Sequence, residues 1–122
     1  MVPDAPFPVE TFELVLYSRN PDAPPRAVDE SQQIIAEHLA WAGTQLALGN
    51  ALLAGAIAGH PGVSGLGLFC TGSLERTRAL MASDPAISSG IDTYALAQFV
   101  TRAGAVSRPA PSAGRSGDLG EG

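Results

Sequence analysis

The chain has 122 residues, 45% of them hydrophobic, and a formal net charge of −5 from seven arginines, no lysine and twelve acidic residues. That is enough apolar material for one domain with a core, but no apolar run reaches the roughly 18–20 residues of a membrane span. The scattered arginines form none of the basic stripes that nucleic acid, another polyanion or an anionic membrane surface would require, and the single cysteine, Cys70, excludes an internal disulfide and any multi-cysteine metal site.

Residues 1–10 are rich in proline and read as an N-terminal arm. Met1-Val2-Pro3-Asp4 has neither a basic nor an apolar leader region, so a cytoplasmic location is expected. Phe12–Tyr17 predicts a strand, which Asn20-Pro21-Asp22-Ala23-Pro24-Pro25 breaks. Asp29 is the expected N-cap of a long helix, with Gln32 three residues on completing a capping-box pattern. That helix runs to Leu48, where Gly49-Asn50 supplies the stop. Along it Ile35, Leu39, Ala42 and Leu46 follow helical spacing and predict the buried stripe. Leu52–Ile57 is a second strand, Gly59-His60-Pro61-Gly62 a turn, and Gly65–Thr71 a third strand. Ser73 is the expected cap of a short helix, Leu74–Ala82, which Pro85 ends. A last strand covers Thr93–Val100. From 104 to 122 there is almost no large apolar residue, so a disordered tail is expected and the folded unit spans residues 11–103.

The order βαββαβ is the ferredoxin-like arrangement: an α+β fold with a four-stranded antiparallel sheet and two helices on one face. In the first strand Phe12, Leu14 and Leu16 alternate with Val15 and Tyr17, so both faces of the sheet are apolar. A second apolar face needs a second cover. The simplest is another copy of the chain, which predicts a two-fold homodimer with a barrel-like interior, a dimeric α+β barrel.

The chemistry available is sparse. His38 and His60 are the two side chains whose ordinary pKa lies near neutrality. His38 borders the predicted buried stripe beside Trp41, and Asp84 sits before Pro85, at a helix end where negative charge is disfavoured. A His paired with a carboxylate is a minimal proton-transfer device. From spacing alone two readings stand: such a pair, or a border histidine bonded to backbone and an acid that bonds turn amides. Gly55 and Gly67 lie in strands, where glycine marks either close packing or close approach of a ligand. Tyr17, Trp41, Tyr94 and Phe99 are candidate pocket walls or core residues. His60 reads as solvated and Cys70 as a buried strand residue. No zinc-type spacing, phosphate loop, dinucleotide fingerprint or nucleophile elbow is present, so neither metal nor cofactor is expected.

Together these segments resemble the YciI-like (YCII-related) family of the dimeric α+β barrel superfamily. The resemblance runs from about Phe12 to Phe99 and rests on Glu37-His38-Leu39-Ala40-Trp41, Gly49-Asn50-Ala51-Leu52-Leu53-Ala54-Gly55, Gly65-Leu66-Gly67-Leu68 and Ser83-Asp84-Pro85. It implies that His38 and Asp84 are an active-site pair meeting in a cleft; Tyr17, Trp41, Gly55, Gly67 and Tyr94 are the residues expected to contact a substrate there. The chain departs from the family pattern at Ala56, Ala86 and Ala36-Glu37, where a proline, an aromatic and an arginine are common. The implied function is a cofactor-independent acid–base enzyme, an isomerase, lyase or cyclase, acting on a small carbonyl, enol or phenolic substrate in secondary or aromatic metabolism. A non-catalytic dimeric binding or accessory protein and a cofactor-free monooxygenase are the alternatives.

Overall fold

The computed structural model describes residues 5–107. The elements in chain order are β1 (Val9–Arg19), α1 (Val28–Leu48), β2 (Ala51–Ala56), β3 (Gly65–Phe69), α2 (Leu74–Met81), α3 (Pro85–Ser88) and β4 (Asp92–Arg102). The four strands form one antiparallel sheet in the order β2-β3-β1-β4. This is the ferredoxin-like architecture expected from the sequence, and no helix among the described residues is long and apolar enough to cross a membrane. The expected tail lies largely outside the described residues, and β1 begins at Val9, inside the segment read as an arm.

The barrel is the part of that expectation which the structure overturns. The sheet is open: β2 and β4 are its two edges and do not pair with each other. The four described strands therefore form an open sheet and enclose no barrel interior. Two apolar faces indicate only that each face needs cover.

Register fixes those faces. Val15 and Tyr17 share one face with Gly67 and Gly65 of β3 and with Leu96 and Tyr94 of β4. The helices cover this side, and Val15, Tyr17, Ala51, Phe69 and Met81 form its core, with Trp41, Leu80, Ile87, Tyr94 and Leu96 packed against them. Leu14 and Leu16 share the opposite face with Leu68, Leu66, Ala97 and Ala95, and Leu53 and Phe99 on it are exposed.

Local rules account for most element ends. Ser73 caps α2 by accepting from the Arg76 amide at 3.0 Å. Gly49 (φ +81°) ends α1 in a Schellman turn: its N–H donates to the Leu46 carbonyl and the Asn50 N–H to the Gln45 carbonyl. Cys70 falls just beyond β3, half-buried, with its thiol on the Gly49 carbonyl. The N-cap of α1 is Ala27, with no side-chain cap, and Asp29 lies inside the first turn bonding the Glu30 amide. Two corrections bear on the site. Pro85 does not end α2, which stops at Met81; it opens α3, with Asp84 as the N-cap. And the inward row of α1 is Ile34, His38, Trp41 and Gln45, one residue out of phase with the expected stripe, leaving Ile35, Leu39 and Leu46 exposed.

Two single-methyl substitutions should shift stability in opposite directions. Nothing lies within 4 Å of a Cβ built at Gly49 or at Gly43, so backbone conformation decides both. Gly49→Ala forces an L-residue into the left-handed region and should destabilise by about 1–2 kcal/mol. Gly43→Ala, inside α1, should stabilise by roughly 0.5–1 kcal/mol. Urea unfolding should show the midpoints moving apart with an unchanged slope.

Candidate active site

Asp84 is fully buried and accepts three hydrogen bonds. Its Oδ1 takes His38 Nδ1 at 2.8 Å and the Ala86 amide at 2.9 Å; its Oδ2 takes the Tyr17 hydroxyl at 2.7 Å. Each donor has a local reason to be there. Ala86 N–H is a free donor of the first turn of α3, which the N-cap residue normally satisfies. Tyr17 projects from β1 toward the helices, and His38 lies on the inward row of α1. The sequence placed Asp84 at a helix C-terminus, where its charge would be unfavourable. Its true position, a helix N-terminus, is one that favours negative charge.

The geometry orients the imidazole. Because Oδ1 accepts, Nδ1 carries the proton, and in neutral His38 the acceptor is Nε2. The ring lies edge-on to Tyr17, with centroids 5.3 Å apart, and is stacked near Trp41 at 6.4 Å. Trp41 is itself held by its Nε1–H donating to Ser83 Oγ at 2.9 Å. His38 retains 22% side-chain exposure, so the ring is clamped yet reachable. Its pKa is raised above 6.5, chiefly by the hydrogen bond to Asp84, with the charges of Asp84 and Asp92 adding and partial burial opposing. The Tyr17 hydroxyl is pushed well above its usual value, by burial first and by Asp84 second, so it remains a donor to the carboxyl.

His38 lines a cavity of about 400 Å³, within the size range of small-ligand sites. Tyr17, Trp41, Gly55 and Gly67 line it too, which places four of the five residues expected near a substrate. Tyr94 belongs instead to the core packing beneath the helices. Gly67 has a definite reason to lack a side chain, since a Cβ there would lie 2.7 Å from the Phe69 ring. The opposite wall is the misphased row of α1: Ile35, Leu39, Ala42 and Leu46 face the cavity. His60 is elsewhere, exposed in its turn, with Nδ1 accepting from the Gly62 and Val63 amides.

Two cavity residues had no signal in the sequence. Arg19 ends β1 and Asp92 begins β4, and the strand register sets them opposite each other. Arg19 Nε lies 3.5 Å from Asp92 Oδ1. Burial raises the Asp92 carboxyl, while Arg19 and His38 pull the other way. Both lie outside the strands the sequence predicts, Phe12–Tyr17 and Thr93–Val100, and their meeting depends on a register that composition does not encode.

No protein-family model and no curated protein matches this chain. Among solved structures it is similar to 5-chloro-2-hydroxyhydroquinone dehydrochlorinase from Burkholderia phenoliruptrix AC1100, in complex with 2,5-dihydroxybenzoquinone. The identity is 17% and the TM-score 0.50, over 75% of this chain and 91% of that one. Protein Atu4242 from Agrobacterium tumefaciens is more loosely alike, at 14% identity and TM-score 0.43, over 82% of this chain and all of that one. At 17% identity the likeness to the dehydrochlorinase bears on the fold alone.

The raised His38 pKa carries a stability prediction with a definite sign. A group whose folded pKa exceeds its unfolded value stabilises fully below the unfolded value, here about 6.5, and loses that contribution as pH climbs through the folded value. The stability difference between the parent and His38→Asn should therefore shrink between pH 6 and pH 9. NMR titration should place the His38 midpoint above 6.5, and Asp84→Asn should lower it. A midpoint at or below 6.5 in the parent contradicts the bonded pair.

Proposed function

We propose that this chain is a cytoplasmic, cofactor-independent acid–base enzyme of the YciI-like kind, acting on a small phenolic, enol or carbonyl compound. The observation that carries the reading is the His38–Asp84 hydrogen bond at the wall of an apolar cavity. Asp84 fixes the tautomer and stabilises the imidazolium, leaving Nε2 as the proton-transferring atom. In the forward step Nε2 removes a proton from a substrate C–H or O–H, and the released electron pair forms a new double bond. Return of the proton to a second carbon gives isomerisation; departure of a leaving group with its own electron pair gives elimination. The likeness in fold to an enzyme named for a chlorinated hydroxyhydroquinone supports the phenolic class.

The substrate-contacting residues in this reading are His38, Tyr17, Trp41, Gly55 and Gly67. Tyr17 is a positioning residue as well, because its hydroxyl bonds Asp84. The second apolar sheet face, with Leu53 and Phe99 exposed on its edge strands, is read as the surface of a homodimer.

A screen of small phenols and enols should find turnover that rises with pH through a midpoint above 6.5 where His38 acts as base. His38→Ala and Asp84→Asn should each lower kcat by about 10²–10⁴-fold, and the double variant should lose less than the product of the two. Tyr17→Phe should cost less, and should move the pH midpoint. Folded variants with parental turnover overturn the acid–base reading; variants that lose affinity for a ligand no form of the chain converts point to a binding protein. Sedimentation at micromolar concentration should give the mass of a dimer, and Leu53→Glu should shift it toward a monomer.

A further inference from the structure

We propose that Arg19 and Asp92 form the hydroxyl-recognising end of the cavity, selecting a ligand that carries an O–H group apart from the proton that His38 removes. The inference rests on the proposed reading of the cavity and adds the residues that set its specificity.

The two side chains are an incomplete pair. Their closest approach of 3.5 Å is longer than the roughly 2.7–2.9 Å of a formed charge-assisted hydrogen bond. Asp92 Oδ1 is buried and has no hydrogen-bond partner among the described residues. Buried carboxyl oxygens are normally satisfied, and an exception points to a strained or functional site. The contrast inside the same fold is direct: both oxygens of buried Asp84 are bonded. Arg19 cannot be a fixed structural partner of the same kind, because 59% of its side chain is exposed, against 15% for Asp92. The guanidinium is a largely exposed arm over a carboxyl carried by β4.

A hydroxyl completes this arrangement with one atom. Its proton is donated to Asp92 and its oxygen accepts from Arg19. An ether or a methyl group offers no proton and leaves Asp92 as it was. Of the neighbouring wall residues, Gly65 and Leu66 offer no polar side chain and Ser64 only a neutral hydroxyl, so charged recognition falls to this pair. Discrimination of this type is strong, because a site built around a hydroxyl is left with unpaired polar groups by an analogue that lacks it.

The test compares resorcinol with 1,3-dimethoxybenzene as probes, read by amide shifts in NMR titrations of the full chain. The parent should bind resorcinol about tenfold more tightly than the diether. Asp92→Asn should erase that preference by weakening resorcinol alone, with the amide spectrum otherwise preserved. Arg19→Gln, on an exposed side chain, should narrow it several-fold, and serves the same comparison if Asp92→Asn does not fold. The proposal fails, with the reading of the cavity intact, if the parent prefers resorcinol and both variants keep that preference. It also fails if a variant weakens both probes equally, the mark of a structural ion pair. Both the proposal and the phenolic reading fall if the parent binds neither probe at millimolar concentration while its His38 pKa remains raised.

Discussion

The burial of Asp84 is the constraint on which the rest of this site depends. An ionisable carboxyl withdrawn from water is costly unless its oxygens find partners. Here the partners come from three separate places: β1 through Tyr17, α1 through His38 and the first turn of α3 through the Ala86 amide. The requirement therefore fixes the rotation of α1, the start of α3 and the depth of Tyr17 at once. Removing one partner from such a set typically costs about 3–5 kcal/mol. Fold and site are thus not separable at this position, and a substitution here reports on chemistry where the variant is first shown to stay folded.

The same constraint explains what the sequence could and could not reveal. The chain order of the four strands and of helices α1 and α2, the Gly49 stop and the Ser73 cap were legible because each is decided by a few adjacent residues. The phase of α1 was not. Its two candidate rows differ by one residue, and the more apolar row, Ile35-Leu39-Ala42-Leu46, is the one that faces the cavity. The inward row carries His38, Trp41 and Gln45, polar groups whose burial is acceptable only because Asp84, Ser83 and Asn50 meet them. Asp84 and Ser83 lie in the turn before α3 and Asn50 in the turn after α1, so the winning phase depends on tertiary pairing that periodicity does not carry. The barrel fails for a related reason: alternation along a strand reports that both faces are apolar, and says nothing of what covers the second face or of whether strands close around it.

Read together, the two rows of α1 show how the fold leaves room for a ligand. A helix that buried its most apolar row would close the cavity with leucine and isoleucine. Rotating it toward Asp84 clamps the imidazole and turns the apolar row outward over the glycines of β2 and β3. The polar dyad and the apolar pocket are two consequences of one rotation. This local conflict with hydrophobic patterning is what is expected where a sequence has been shaped for a site as well as for stability.

Strand β1 then gives the cavity two ends of different character. Tyr17 and Arg19 lie two residues apart on the same face, opposite Tyr94 and Asp92 of β4. At Tyr17 the polar groups are buried, bonded and bound to one geometry; at Arg19 the guanidinium is largely exposed and its partner oxygen unbonded. Proton transfer gains from the first condition, since a base held in place needs no reorganisation when the proton moves. Under the recognition role proposed for Arg19 and Asp92, the second condition suits a ligand, since an exposed arm and an unbonded oxygen still have a bond to make. In that reading one strand carries a rigid end and a selective end, and substrate preference would change by substitution at Arg19 or Asp92 while the His38–Asp84 geometry, anchored two residues away by Tyr17, stays as it is.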